Sequence, residues 1–272
     1  MPKSRRRKPK KTNTATRIAR RQPWPGVPPG LPGLRSVPVM PAVAGREIYE
    51  PLLAVPIEVM PLHAPLAVFR QDAIGQPANS CAPVCYQFAG ALRHLGFRAE
   101  LVAACVSVAN TQGGATKITD VGLWKRPPIV YHDGTMRGHV VVWTESFHQL
   151  VDLTVGQDET LQRASRHNPS VAAPVVLPMP TLHTFGDGPT PVVLRPPFLL
   201  TYMLFPAWTT ALEPLWRDAR LVARLDRAAL ALAHESLKVL RVVEQHVLAR
   251  RVTAPQLRDL LDGRAILPPL PT

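Results

Sequence analysis

Cysteine is scarce in this chain. Its 272 residues hold three, Cys81, Cys85 and Cys105, and an odd number in a chain of this size argues against a disulfide framework and for a reducing, cytoplasmic setting. The spacing Cys81-x3-Cys85 has no second close pair of cysteine or histidine at finger distance, so no structural metal is expected. No uninterrupted apolar run is long enough to cross a bilayer, and no membrane span is expected. A secretory leader is not expected either, because the first basic residues run into PWPGVPPGLPG rather than an apolar helix-forming stretch. No internal repeat is evident. Residues 1–22 contain no acid at all.

What is present is uneven. The 31 prolines exceed ordinary usage and imply long irregular segments. Seven of them fall between Pro23 and Pro41, which predicts an extended linker over 23–45. Ten of the 32 basic residues lie in residues 1–22, and the other 22 are nearly balanced by 19 acids, so that one segment makes the protein basic. It cannot fold alone, since it has too little apolar surface to offset the entropy of ordering. Two readings stand for it. One is an arm that binds nucleic acid or an acidic surface, with Arg5, Arg6, Arg7, Lys8, Lys10 and Lys11 on the phosphates. The other is a solubilising disordered leader.

The remainder is 46–207, expected as one α+β domain, and 208–272, expected as a C-terminal helical segment. The stretch IYEPLLAVPIEVMPLHAPLAVF is apolar but broken by prolines, which predicts short edge strands or an irregular wrap. A helix is expected from about Cys81 to Leu95, capped by Ser80 or Asn79, with Pro83 in its first turn and Gly96 as its left-handed stop. Cys81, Cys85, Phe88, Leu92 and Leu95 share one face at helical spacing and form its buried stripe. A strand is expected over 98–108, a long polar loop over 109–136, then strands over 138–143 and 148–154, and a return to the sheet over 192–206. Beyond that, Leu225, Ala229, Leu232, Ser236, Val239, Val243 and Val247 recur at helical spacing, and Thr253 caps a last helix stopped by Gly263. These helices form either a packing subdomain or an oligomerisation element.

Chemistry enters with three residues in order: Cys81 opening a helix, then His139 and Asp152 on successive strands. A thiol attacks only as thiolate, and a helix N-terminus favours that anion through its free amides and partial positive charge. The same amides can hold a developing oxyanion, with Gln76 or Asn79 as added donors. If the hairpin GHVVVWTESFHQLVDLTV turns about Glu145–Ser146, Trp143 opposes His148, Val141 opposes Leu150, and His139 opposes Asp152. Directly opposed residues share a face with Cβ atoms roughly 4.5–5.5 Å apart, which lets the carboxylate hold one ring nitrogen and leaves the other for the thiol. His132–Asp133 and His148 are rival histidine positions. Cys85 and Cys105 fit small buried core residues.

On NSCAPVCYQFAGALRHLGFRAELV, GHVVVW and LVDLTV, residues 75–157 resemble the transglutaminase-like and arylamine N-acetyltransferase branches of the papain-like cysteine enzymes. They also resemble actinobacterial proteins with a GH-V-V…LVD-T pattern. The Arg and Gly-Gly that precede the cysteine in arylamine acetyltransferases are absent here. The resemblance implies a cysteine-bearing helix packed on an antiparallel sheet. It implies Cys81 as nucleophile, His139 as general base and acid, and Asp152 as the orienting group. The expected reaction is cysteine-dependent acyl transfer, or hydrolysis of an amide or thioester, with no cofactor. The alternative expectation is a non-catalytic nucleic-acid-binding or interaction protein that uses its basic segment.

Overall fold

The computed structural model describes residues 52, 55–73, 80–112, 114, 116–124, 127–132, 135–166, 173–246 and 254–270. The basic segment with Arg5, Arg6, Arg7, Lys8, Lys10 and Lys11, the linker 23–45, Gln76, Asn79, Asp133, Val247 and Thr253 lie outside the described residues.

The helix α1 (Met60–Ala73) corrects the expectation of edge strands or an irregular wrap there. Proline weakens a helix by removing an N–H bond, but Pro61 falls in the first turn, and Pro65 forgoes only the bond to the carbonyl four residues back, that of Pro61. Burial of Met60, Leu62, Ala64, Leu66 and Val68 outweighs that loss. The next helix, α2 (Cys81–His94), begins and ends as expected. Gly96 has φ +89°, its N–H bonds Arg93 O at 2.9 Å, and Phe97 N–H bonds Leu92 O at 2.9 Å, which is a Schellman cap. A Cβ at position 96 would stand 2.6 Å from Gln256 Cβ, so the chain packed on this turn also requires glycine.

At the other end of α2 the expected serine cap is not made. A capping side chain bonds the second or third amide of its helix, and the third residue here is Pro83, which has none. Ser80 Oγ instead accepts from Gln157 Nε2 at 2.9 Å and donates to Gln157 Oε1 at 3.3 Å. The apolar stripe Cys81, Cys85, Phe88, Leu92 and Leu95 is buried throughout, and so are Ala82, Val84, Ala89 and Ala91. The helix is enclosed on several sides, with the sheet on one and other helices elsewhere.

That sheet is antiparallel. It contains β1 (Glu100–Asn110), β2 (Thr116–Gly122), β5 (His139–Thr144), β6 (Gln149–Asp152), β7 (Val175–Pro178), β8 (Val192–Arg195) and β9 (Phe198–Leu204). The order is β7-β6-β5-β1-β9-β8, with β2 added on β1. One edge of β1 serves two partners: Glu100–Ala104 pairs with β5, and Cys105–Asn110 pairs with β2. The strand β2 and a separate hairpin, β3 (Val130–His132) with β4 (Thr135–Arg137), occupy the stretch expected as a loop over 109–136. The strand β2 is half-buried to exposed along its length, so it lacks the apolar run by which β1 and β5 are legible.

Both faces of the sheet are covered. Ala103, Cys105, Val140, Val142, Val151 and Met203 join a core with α1, α2 and the C-terminal helices. Val102, Ala104, Val106, Val141, Leu150, Leu200 and Tyr202 form a second core on the other face. This explains the unbroken Val-Val-Val of β5, where alternate residues serve opposite layers. The chain continues through α3 (Glu159–Ser165), whose Asp158 cap accepts from Thr160 and Leu161 amides, and α4 (Glu213–Trp216). The long helix α5 (Ala219–His246) and α6 (Pro255–Leu261) follow. Leu225, Ala229, Leu232, Ser236, Val239 and Val243 are buried in α5, as their spacing predicts. Residues of α5 and α6 belong to the same core as Cys81 and Phe88. The chain is thus α+β, with a cysteine-bearing helix packed on an antiparallel sheet and helices at its C-terminal side. No helix among the described residues is long and apolar enough to cross a membrane.

Candidate active site

Cys81 is the first residue of α2 and is 4% exposed. Its Sγ donates to Gly138 O at 3.8 Å, and one turn on Cys85 Sγ donates to Val140 O at 3.2 Å. Both carbonyls belong to the stretch around the start of β5, below the point where pairing with β6 begins at Val142–Val151. The N-terminal turn of α2 packs against that stretch, where β6 is absent and β5 pairs only with β1, through Ala104–His139 and Ala103–Val140. Val84 N–H bonds Ser80 O at 3.0 Å and Pro83 has no N–H, so the amides of Cys81 and Ala82 have no partner within the helix. They place partial positive charge at the end of the helix that carries the sulfur.

His139 and Asp152 come together as expected, but through a different register. The pairs are Val142–Val151, Trp143–Leu150 and Thr144–Gln149, so Leu150 opposes Trp143 rather than Val141. His139 and Asp152 are therefore diagonal neighbours, not directly opposed. The cause is the turn. It lacks an Asn-Gly pair, and the chain makes a short 3-10 turn over Glu145–Phe147 with His148 in the left-handed region at φ 51°. The register differs by two residues. Because side chains alternate with a period of two, an even slip keeps both on one face, where a slip of one would have parted them. His139 Nε2 donates to Asp152 Oδ2 at 2.9 Å. The Cys81 thiol lies near enough to the imidazole to raise its pKa, while the hydrogen bond of the thiol itself goes to Gly138 O. The structure thus places the Cys81 thiol next to the His139–Asp152 pair, on the carbonyl of the residue before His139.

The carboxylate is fully satisfied. Asp152 Oδ1 accepts from the amides of Thr154 at 3.0 Å and Val155 at 2.9 Å, and Oδ2 accepts from Tyr202 Oη at 3.1 Å besides His139. Burial alone would raise its pKa. The His139 charge, with these hydrogen bonds, overrides burial and holds it below the usual carboxylate range. Burial likewise pushes the His139 imidazole down, while Asp152 and then Cys81 push it up, to about 10. The pair is therefore an imidazolium–carboxylate at neutral pH, with exposures of 3% and 0%.

The other candidates are placed elsewhere. Burial first, then the nearby Cys81 and Asp152, raises the Cys85 thiol well above its ordinary value. Burial raises Cys105 to about 12. All three cysteines are free. His148 lies in the turn rather than opposite Trp143, with Nδ1 donating to Pro180 O at 3.2 Å. His132 ends β3, and its neighbour Asp133 lies outside the described residues.

Two tyrosines were not singled out by sequence reasoning as site residues. Tyr202 is on β9 opposite Val106 and reaches Asp152 only because β9 and β6 flank the same layer. Tyr131 falls within the stretch 109–136, expected as a loop, and lies on β3. No local signal marks either, since both depend on strand order. Gly122 does carry a signal: it ends β2 at φ +95°, and a Cβ there would stand 2.7 Å from His139 Cβ. Among the described residues no group of three His, Cys, Asp or Glu side chains converges as a metal site. Comparison of the chain with protein-family models, with curated proteins and with solved structures finds no match.

Proposed function

We propose that the protein is a cysteine-dependent acyltransferase or hydrolase of the transglutaminase-like kind, acting on an amide or thioester. The observation that carries this reading is the imidazole of His139, held through Nε2 by a buried carboxylate, with the thiol that opens α2 bonded to the carbonyl of the residue just before it, Gly138. The Cys81 sulfur attacks the substrate carbonyl carbon. The carbonyl oxygen becomes an oxyanion beside the amides of the α2 N-terminus. His139 passes a proton to the departing amine or thiol, and a thioester forms on Cys81. Water or an amine then attacks the thioester, with His139 taking its proton and returning one to sulfur as the acyl group leaves. Asp152 orients the ring throughout.

Limiting iodoacetamide near neutral pH tests the reading. Cys81 is expected to be alkylated faster than a free cysteine thiol, with Cys85 and Cys105 unmodified, because burial keeps their thiols protonated. Cys81 labelling no faster than free cysteine would sink the proposal.

A second reading concerns the ten positive charges of residues 1–22 and is compatible with the first. It makes that segment an arm for nucleic acid or another acidic surface. The intact protein is then expected to bind DNA or RNA with steep salt dependence, and a variant lacking residues 1–22 to lose both. Absence of binding by the intact protein at low salt rules the arm out.

A further inference from the structure

Buried polar atoms in folded proteins almost always have hydrogen-bond partners, and an exception calls for an explanation. The Tyr131 hydroxyl is such an exception: its oxygen is enclosed and has no partner. The residue as a whole is half-buried, so solvent reaches part of it while the hydroxyl lies inside. Tyr131 sits on β3 opposite Met136, and Met136 and Ile129 belong to the core that contains Cys81, with Tyr131 packed against it. Two residues beyond Met136 comes Gly138, whose carbonyl accepts the Cys81 thiol. The β3–β4 hairpin therefore delivers an unpartnered donor to the surroundings of the sulfur.

We propose that the Tyr131 hydroxyl donates a hydrogen bond to the carbonyl oxygen of the acyl substrate as Cys81 attacks it, completing an oxyanion site whose other donors are the first amides of α2. This rests on the acyl-transfer reading of Cys81. A donor held ready without a partner loses nothing when the oxyanion forms, which is the condition under which such groups accelerate a reaction most. Burial, and then the nearby Cys81, raise the pKa of the phenol, so it stays protonated and able to donate at neutral pH.

Two reagents separate this role from any effect on the thiol itself. Acyl transfer from p-nitrophenyl acetate passes through an oxyanion. Alkylation by iodoacetamide is a displacement at carbon with loss of iodide and forms none. In the full chain, Tyr131→Phe is expected to slow acylation of Cys81 by about 100-fold while leaving its alkylation rate unchanged. The variant is expected to fold as well as the parent, because the hydroxyl removed has no partner to lose. Equal acylation in the two proteins overturns the proposal and leaves the thiol chemistry standing. A parallel fall in both rates also overturns it, because the residue then acts on the thiol or the fold. If the parent protein is alkylated at Cys81 but never acylated, the acyl-transfer reading falls and this role falls with it. Should Tyr131→Phe not fold, 3-fluorotyrosine at position 131, a stronger donor of nearly the same shape, must raise acylation relative to alkylation, and an unchanged ratio overturns the assignment.

Discussion

Replacing Asp152 with alanine is expected to lower the unfolding free energy by about 3–5 kcal/mol, the usual consequence of removing one partner from a buried ion pair. Four donors lose their acceptor at once: His139 Nε2, Tyr202 Oη and the amides of Thr154 and Val155. At about 2–4 °C per kcal/mol for a chain of this size, the melting temperature should fall by on the order of 10 °C. Asp152→Asn, which keeps an acceptor oxygen without the charge, should fall between the two. The pH dependence has a definite sign. His139 titrates at about 10 in the folded protein against 6.5 ordinarily, so its contribution is complete below about pH 6.5 and lost as pH rises through 10. The Asp152 carboxyl is held below its ordinary 3.8, so its contribution is present above that value and lost as pH falls through the folded pKa. The melting-temperature gap between parent and Asp152→Ala should be widest at about pH 4–6.5 and narrow on either side. A gap that does not change between pH 5 and 10, measured by calorimetry or circular dichroism, would contradict an ionised pair.

The second large effect is on chemistry. Cys81→Ala should reduce acyl transfer from p-nitrophenyl acetate to the background of the buffer, since no other thiol is available. Cys85 and Cys105 are fully buried, and burial raises both. His139→Ala should lower the rate by about 10²–10⁴-fold, the range for loss of a positioned acid–base group. Cys85→Ala is the control, because Cys85 shares the helix face but its thiol bonds the Val140 carbonyl. Acyl transfer that survives Cys81→Ala, followed by mass spectrometry of the labelled protein, would move the nucleophile elsewhere.

The elements legible in the sequence were those with strong local causes. The helix α2 announces itself by Gly96, by the stripe from Cys81 to Leu95, and by Pro83 near its start. The helix α5 does so by its run of buried positions, and β1 and β5 by dense Val and Ala. The helix α1 was obscured by Pro61 and Pro65, whose cost is local while the compensating burial is tertiary. The strand β2 and the β3–β4 hairpin were obscured because they are short or half-exposed and carry no strong apolar alternation. The site followed the same division. Cys81 at a helix start and His139 and Asp152 on neighbouring strands could be read from local context, and the exact pairing could not, because the turn after Thr144 has no signature that sets its length.

The amino-acid sequence by itself determined which residues could do chemistry, that the stripe from Cys81 to Leu95 on α2 is buried, and that positive charge is concentrated in residues 1–22. Those properties depend on residue type and on spacings of a few positions. Only the tertiary structure decided that β6 stops short of the β5 start, that α2 places its thiols against the Gly138 and Val140 carbonyls there, and that Tyr202 and Tyr131 arrive from distant strands. Strand order and register emerge from the packing of two cores against one sheet, and no local segment carries that information.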